Sequence, residues 1–326
     1  MKPLYIALLA LFTLFGVYQP TTATAAFPEN GRIVKIICVY PAGGGIDIVM
    51  RSVAQVLTKT WGSTIIIENH AGAGTTIGTT LVAKSPPDGY TLLATDVSFS
   101  IAASLYAKLQ YDPQNDLAPV SLFASVSQVL AVNSAFPVNS LKELIDYAKA
   151  NPAKVLYATA GVGTPPHLTW ARLKDLTGAD IAQVSYKGAS QSLLDVVAGR
   201  VQVYSGATGT VVPYVKAGKL RALAVLDKQR SKMLPDVPTA TEAGVSGLEV
   251  NSWYGLFAPA GTPPEVVNQI SVDLTKALHA PEVLSVLESL GNAPIYDIGP
   301  DKFTAFLKAD LVKWKKAVDA AGARIE

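Results

Sequence analysis

The chain contains 326 residues, of which 49% are apolar, and its 27 basic and 25 acidic residues leave a formal net charge of +2. Because these charges are spread along the whole chain, the composition excludes the basic stripe of a nucleic-acid-binding protein, and no nucleic-acid partner is expected. Cys38 is the single cysteine, which excludes an internal disulfide and predicts a buried, inert thiol. A chain of this length commonly divides into two domains.

The N-terminus has the pattern of an export signal. Lys2 precedes a charge-free apolar stretch at residues 4–17, and Ala23-Thr24-Ala25 gives the small-x-small pattern of a signal-peptidase site. Residues 1–26 are therefore predicted to be a signal peptide cleaved near Ala25 or Ala26, which indicates a periplasmic protein. The alternative is a permanent membrane anchor, but the apolar core is shorter than the roughly 20 residues that a spanning helix needs.

Strand-like apolar runs alternate with amphipathic segments along the chain, which is typical of α/β proteins with largely parallel sheets. The first half predicts strands at 33–40, 65–67 and 90–94, with helices at 47–61 and 75–84. The second half predicts strands at 155–158, 181–186, 201–204 and 220–226, with helices at 166–176 and 190–198. The repeated order indicates two related αβ lobes.

The remaining segments carry clear helix signals. Capping boxes predict helix starts at Ser140-x-x-Glu143, Thr239-x-x-Glu242 and Thr262-Pro263-Pro264-Glu265, the last with proline at the first helical position. The C-terminal helix places apolar side chains at spacings of three and four, at Phe303, Leu307, Leu311, Trp314 and Val318. This helix is expected to fold back onto the first lobe. The predicted organisation is lobe 1 at residues 27–126, lobe 2 at 127–248, and a return to lobe 1 at 249–326.

The run from Val39 to Asp47 is the most informative motif. An apolar strand breaks on Gly43, Gly44 and Gly45 and restarts as a helix. Glycines let backbone N–H groups turn toward one point, and the helix adds the positive end of its dipole, so the loop is predicted to bind a carboxylate or phosphate. A tight turn that needs glycine only for its geometry is the alternative. Asp47 either caps the helix or accepts a hydrogen bond from the ligand or a bridging water.

Enzyme signatures are weak throughout the sequence. The glycines of His70–Gly78 are spaced one residue too far apart for a dinucleotide fingerprint, and the pattern favours a turn instead. His70, His167 and His279 stand alone, without a metal-binding pattern or a serine elbow. The sequence therefore predicts neither a catalytic residue, nor a metal, nor a cofactor.

The second half repeats the arrangement of strand, glycine break and helix start. Ala158–His167 contains one such break, and Tyr186-Lys187-Gly188-Ala189-Ser190 contains another. Such loops follow the carboxyl ends of strands, where ligands bind in open α/β sheets. Lys187 is a candidate for charge pairing, although a solvated lysine beside a turn is the more common situation. His167, near a helix start, is expected to be a structural hydrogen-bonding residue.

Motifs along nearly the whole mature chain resemble the Bug-type periplasmic solute-binding proteins of tripartite tricarboxylate transporters. The matching stretches are Tyr40-Pro41-Ala42-Gly43-Gly44 with Asp47 and Arg51, Glu68-Asn69 with Gly72-Ala73-Gly74, Pro87–Leu93, Tyr111-Asp112-Pro113, Gly163-Thr164-Pro165 with His167-Leu168, Val184 with Tyr186-Lys187-Gly188, Lys216–Ala224, Pro235–Thr239 and Ala258–Pro263.

This resemblance implies a two-lobed periplasmic-binding-protein, or Venus flytrap, fold, in which each lobe is a mainly parallel sheet flanked by helices. It also implies that a small organic carboxylate is held largely by main-chain groups and ordered waters, and is then presented to membrane permease subunits. We expect a monomer without catalytic turnover. The alternative is a ligand-sensing protein that docks to a sensor-kinase ectodomain.

The chain departs from the resemblance in two places. Ile46 replaces the usual threonine of the first loop and makes that wall more apolar, and Thr95–Phe99 replaces a small glycine- and threonine-rich segment. Asp96 is expected to repel a second carboxylate and to favour a hydroxyl, an amine or a cation on the ligand. Phe99 is expected either to line the pocket against an aromatic ring or to pack in the core, so an aromatic or hydroxylated solute fits these residues.

The predicted ligand-binding residues are Tyr40, Ala42, Gly43, Gly44, Gly45, Ile46, Asp47, Asp96, Ser98, Thr159, Gly161, Val162, Thr164, His167, Tyr186, Gly188, Ala189, Ser190, Ala207 and Thr208.

Overall fold

The computed structural model describes residues 27–29, 31–186, 188–250, 252–320 and 322–325. The predicted signal peptide and Lys187 lie outside these residues. Within the described ranges, no helix is both long enough and apolar enough to cross a bilayer.

The chain visits one sheet, then a second, and then returns to the first. The first segment contains β1 (Val34–Cys38), α1 (Gly45–Trp61), β2 (Ile65–Asn69), α2 (Thr76–Ala83), β3 (Thr91–Asp96), α3 (Ser98–Leu105) and β4 (Leu117–Val126). The second contains β5 (Gln128–Asn133), α4 (Leu141–Ala150), β6 (Leu156–Thr159), α5 (Pro165–Thr177), β7 (Ala182–Ser185), α6 (Ala189–Val197), β8 (Val203–Ala207), α7 (Thr208–Lys216) and β9 (Leu220–Val225). The third contains β10 (Ser252–Pro259), α8 (Pro264–Leu278), α9 (Pro281–Ser289), β11 (Asn292–Pro294) and α10 (Pro300–Ala320).

Two sheets flanked by helices form the architecture, which confirms the predicted α/β class. The six-stranded sheet has the order β11-β4-β10-β3-β1-β2, and the five-stranded sheet has the order β7-β6-β8-β5-β9. The chain changes sheet between Val126 and Gln128, with Ser127 between them, and returns between Val225 and Ser252. The residue limits of the two lobes stay a prediction.

The sheets are mixed, so the expectation of mainly parallel pairing is corrected. Four described strand pairs are parallel, namely β1 with β2 and β3, and β6 with β7 and β8. Five pairs are antiparallel, and they all involve β4, β5 or β10. A helical crossover imposes parallel pairing only on the strands that it joins. The strands that carry the chain between the sheets are under no such constraint, and apolar periodicity does not reveal their direction.

The predicted C-terminal helix is confirmed as α10, which packs on α3 and β4. Its apolar stripe is buried, with Phe303, Leu307, Leu311, Trp314 and Val318 all at most 8% exposed. These side chains belong to one apolar cluster that also contains residues of the second sheet's layer, such as Tyr157 and Leu168. The two halves therefore share a continuous core.

The predicted helix starts are confirmed only in part. The Ser140 hydroxyl accepts a bond from the Glu143 N–H at 3.1 Å and caps α4. Thr239 and Glu242 exchange the reciprocal bonds of a capping box, at 3.1 and 2.7 Å, but turns follow instead of a helix. Gly244 explains this outcome, because its φ of +88° lies in the left-handed region and ends the helical turn.

The third predicted capping box is wrong. Helix α8 begins at Pro264, one position later than the pattern assumes; its N-cap is Pro263, and the Thr262 hydroxyl donates to the Pro259 carbonyl at 2.7 Å. Pro264 is the reason, because a proline disfavours helical backbone in the residue before it, and Pro263 accordingly stays extended.

Candidate functional site

The loop between β1 and α1 requires its glycines for separate reasons. Gly43 has a φ of +81°, in the left-handed region that favours glycine. An added Cβ would lie 3.2 Å from the Pro41 carbonyl at Gly44, and 2.6 Å from the Tyr254 hydroxyl at Gly45. The turn geometry and the close approach of β10 therefore both explain the glycine run.

The free N–H groups of this loop lie two positions later than the glycine run suggests. The Gly43 N–H donates to Asp47 at 2.9 Å, and the Gly44 N–H donates to the Pro41 carbonyl at 3.2 Å. The N–H groups of Gly45, Ile46 and Asp47 have no acceptor among the described residues. These three belong to the first turn of α1, where the helix dipole favours an anion.

Asp47 holds the loop in place. Its buried carboxylate accepts from the Gly43 N–H, from Arg51 Nε at 3.0 Å and Nη2 at 2.9 Å, and from Asn69 Nδ2 at 2.9 Å. Burial alone would raise the pKa of Asp47, but the bonds from Arg51, Gly43 and Asn69 lower it below its usual value. Asp47 therefore stays ionised, and its oxygens face donors of its own chain.

Asn69 and Arg51 complete this frame, and sequence reasoning did not single them out as site residues. Asn69 Nδ2 also donates to the Tyr40 carbonyl at 2.9 Å, and Asn69 Oδ1 accepts from Arg51 at 2.9 Å. Arg51 lies four residues after Asp47 on α1, a spacing that predicts an ion pair on a helix. The contribution of Asn69 carries no such local signal, because it comes from the neighbouring strand β2.

A second buried carboxyl group lies at the end of β3. Asp96 is 8% exposed and accepts from the Tyr40 hydroxyl at 3.0 and 2.9 Å and from the Ser98 N–H at 2.9 Å. The Ser98 hydroxyl lies 2.9 Å from the Tyr40 hydroxyl. Burial raises the pKa of Asp96 above its usual value, and these hydrogen bonds only partly offset the effect.

Tyr254 of β10 connects this carboxyl group with the start of α1. Tyr254 pairs with Asp96 in the antiparallel register, and its hydroxyl is the atom that approaches Gly45. Burial raises the pKa of Tyr254, and the nearby Asp96 adds to the effect. Tyr254 was not among the predicted site residues, because 209 positions of sequence separate it from Gly45, and the register of β10 was unknown.

The structure corrects the predicted role of Ile46 and selects core packing from the two alternatives for Phe99. Ile46 is 2% exposed and packs in the core with Val49 and Leu57, so it does not form a cleft wall. Phe99 is fully buried between Tyr111 and Phe257, with ring centroids 6.1 and 5.0 Å away. The helical direction of each side chain decides these outcomes, since both point toward the sheet.

In the second sheet, the loop from β6 to α5 is shaped by Gly161 and Gly163, with φ of +115° and +79°. The Gly163 N–H donates to His167 Nδ1 at 3.3 Å, and burial lowers the pKa of His167, so the ring is neutral and accepts at Nδ1. The Thr164 hydroxyl donates to the Gly161 carbonyl at 2.7 Å. The expectation of a structural role for His167 is consistent with this geometry.

Prolines limit the anion-binding capacity of α5. Pro165 and Pro166 occupy its first two positions and have no N–H to offer. The start of α6 is different: Ala189 and Ser190 are exposed, and their N–H groups have no acceptor among the described residues. Within this half, α6 is the stronger donor.

Other predicted residues of the second half are engaged with their own chain. Thr159 is buried and accepts from Gln183 at 2.9 Å, while the Tyr186 hydroxyl donates to Asp195 at 2.8 Å. The Thr208 N–H donates to the Ser127 carbonyl at 2.9 Å, which ties α7 to the segment between the sheets. The remaining predicted residues, Ala42, Val162, Gly188 and Ala207, are exposed or half-buried.

The loops of the two sheets meet at α3. An added Cβ at Gly163 would lie 2.0 Å from Leu105 Cδ2 and 3.7 Å from Ile101 Cγ2. Helix α3 begins at Ser98, directly after Asp96. The loop after β6 therefore packs on the helix that follows the acidic end of β3. Across the part of the chain that the structure describes, no group of three or more His, Cys, Asp or Glu residues is arranged to hold a metal ion.

Comparison with known proteins gives consistent matches. The family model described as the tripartite tricarboxylate transporter family receptor matches residues 49–323. The structure of the periplasmic binding protein BugD is 34% identical, covers 91% of this chain and 100% of its own, and has a TM-score of 0.84. R. palustris Rpa4515 with adipate is 31% identical over 92% of this chain and 100% of its own, with a TM-score of 0.84. MatC (Rpa3494) from Rhodopseudomonas palustris with bound malate is 31% identical over 90% and 100%, with a TM-score of 0.81.

Proposed function

Because the chain belongs to the tripartite tricarboxylate transporter receptor family, we propose that it is a periplasmic receptor that binds a small organic carboxylate between its two sheets. The family match and the likeness to BugD confirm the Bug-type resemblance seen in the sequence. The related proteins solved with adipate and with malate support a carboxylate as the ligand class.

The observation that carries the proposal is the set of free N–H groups in the first turn of α1, at Gly45, Ile46 and Asp47. A hydrogen bond to a charged group contributes about 1.5–3 kcal/mol. Three such bonds, together with donors at the start of α6, are sufficient for micromolar affinity, about −8 kcal/mol, after the ordering costs of the ligand.

The second part of the proposal concerns what the protein does with the ligand. We propose that it closes around the solute by a hinge motion at Ser127 and the return segment, and that the closed form delivers the solute to membrane permease subunits without chemical turnover. The signal peptide is proposed to be removed near Ala25 or Ala26, which leaves a monomeric protein in the periplasm. The ligand-binding residues predicted from the sequence remain part of this proposal.

Calorimetry with matched carboxylates and amides tests the binding step. The purified mature chain is titrated with adipate, malate and hexanoate, and with the neutral amide of each acid. We expect at least one acid to bind and its amide to bind at least tenfold more weakly, a difference of about 1.4 kcal/mol. Equal affinity for an acid and its amide would contradict anion binding by the helix start.

A deletion strain tests the delivery step. We expect loss of uptake of the bound solute, with uptake restored by the full chain. If uptake is unchanged and solute-induced gene expression is lost instead, the protein is a sensor that docks to a kinase ectodomain. Incubation of the pure protein with its ligand, followed by mass spectrometry, is expected to return the ligand unchanged.

A further inference from the structure

The two buried carboxylates at the carboxyl edge of the first sheet differ in their counter-charge. Asp47 is neutralised by Arg51, whose Nη2 lies 2.9 Å from it. Asp96 is as inaccessible as a core residue, but its described partners are the neutral groups of Tyr40 and Ser98. A buried carboxylate is costly unless a positive charge accompanies it, so Asp96 lacks what Asp47 has.

Asp96 also lies close to the start of α1. Tyr40 lies in the β1–α1 loop. Its carbonyl accepts a hydrogen bond from Asn69, and its hydroxyl donates to Asp96. Tyr254 spans the same gap, since it is paired with Asp96 in the sheet and its hydroxyl approaches Gly45. Tyr40 and Tyr254 therefore both connect the region at the start of α1 with Asp96.

This arrangement has a positive end and a negative end. The start of α1 favours an anion, and Asp96 disfavours a second anion while it attracts a cation. A hydroxyl group on the ligand would add a hydrogen bond to Asp96 but would leave its charge uncompensated. A protonated amine supplies both.

We propose that the solute is zwitterionic, with a carboxylate at the first turn of α1 and a protonated amine at Asp96. This inference rests on the proposed function, because it assigns the second group of the same ligand. Burial raises the pKa of Asp96, and an ammonium group in contact would favour the ionised form again. Binding of the amine and ionisation of Asp96 then stabilise each other.

Solutes with a common six-carbon skeleton test the inference on the wild-type protein. Hexanoate, 2-aminohexanoate, 6-aminohexanoate and adipate share one carboxylate on a six-carbon chain. They differ in the second functional group, which is absent, an amine at carbon 2 or carbon 6, or a second carboxylate. Butyrate, 2-aminobutyrate, 4-aminobutyrate and succinate repeat the comparison on four carbons. We expect one amino acid in at least one series to bind at least tenfold more tightly than the plain acid and the diacid. A diacid that binds as tightly as the best amino acid would overturn the inference.

The Asp96→Asn variant tests whether Asp96 is responsible. It keeps an oxygen that can accept from Tyr40 and Ser98 but removes the charge. We expect it to lose at least tenfold in affinity for the amino acid and to gain affinity for the diacid. Equal changes for all solutes would show that the charge of Asp96 does not select the ligand.

Asp146→Asn is the matched control, because Asp146 is an exposed carboxylate on α4 that is paired with Lys142. It is expected to keep the wild-type order of solutes. If Asp96→Asn does not fold, the comparison of solutes on the wild-type protein still decides the question. If no carboxylate of either series binds the wild-type protein, the proposed function itself fails, which is a different result from a preference for diacids.

Discussion

Alanine at Gly45 tests the close approach between the start of α1 and strand β10. An added Cβ would lie 2.6 Å from the Tyr254 hydroxyl oxygen but 3.8 Å from the ring carbon that carries it. The first distance is too short for a real contact, whereas the second is ordinary van der Waals contact. Tyr254 has little room to move, because it is 8% exposed and packs beside Phe123.

The size of the effect follows from these distances. Overpacking of this kind costs about 1–3 kcal/mol, and the better helix propensity of alanine returns at most about 1 kcal/mol. Gly45→Ala is therefore expected to lower the free energy of unfolding by about 1–2 kcal/mol. In the Tyr254→Phe background the clashing oxygen is absent, so the same substitution is expected to be neutral or to stabilise by up to about 1 kcal/mol.

Urea denaturation of the wild type, both single variants and the double variant measures the coupling between the two sites. The expected coupling free energy is about 1–3 kcal/mol. Calorimetry with the bound carboxylate on the same four proteins reports whether the N–H groups of α1 have moved. If Gly45→Ala costs the same free energy of unfolding in both backgrounds, the Tyr254 hydroxyl is not the obstacle, and the reasoning is refuted.

Four further predictions concern buried groups. Burial raises the pKa of Asp96 in the folded state. The contribution of Asp96 to stability is therefore complete below its unfolded pKa of about 3.9 and is lost as the pH rises through its folded pKa. Urea denaturation at a series of pH values from about 4 upward should show the stability of the wild type falling relative to that of Asp96→Asn. Burial raises the pKa of Cys38 to about 11, so iodoacetamide at pH 8 should leave the folded protein unmodified while the urea-unfolded chain reacts completely. Phe99→Ala should cost about 3–5 kcal/mol in the free energy of unfolding, because the ring is core, and a cost under about 1 kcal/mol would place it at the surface. Gly163→Ala should weaken carboxylate binding about tenfold in calorimetry, because the new methyl group collides with Leu105 on the opposing helix and φ is positive; unchanged affinity would show that this contact does not form on closure.

The sequence was sufficient to predict elements whose causes are local. The mainly apolar run at residues 33–40 predicts a strand, and the glycines that follow it predict a break before a helix. The structure has β1 within this run and α1 from Gly45 onward. The stripe of α10 at spacings of three and four is buried as expected. Periodicity and glycine breaks determine such features within a short window. The mixed pairing of the sheets was not predictable in this way, because the direction of β10 depends on the distant return of the chain.

The polar contacts of the site depend on residues far apart in sequence. Asp47 and Asp96 look alike in sequence, since each lies near a helix start that follows a strand. Arg51, four residues away, was a recognisable partner for Asp47, and its charge explains why the pKa of Asp47 is low. The partner of Asp96 is Tyr40, 56 positions earlier, and only the parallel pairing of β1 and β3 brings them together.

The repeated pattern of strand, glycine and helix has unequal meaning at its different positions, and counting N–H groups shows why. Helix α1 offers three free donors, α5 loses two to Pro165 and Pro166, and the first N–H of α7 is bonded to Ser127. A glycine break creates space for an anion, but only unengaged N–H groups supply the attraction. Since α1 has three such groups and Asp47 holds its loop in place before any ligand arrives, we expect the carboxylate to have its strongest attachment in the first half. The second half is expected to contribute through α6 and through the contact of Gly163 with α3.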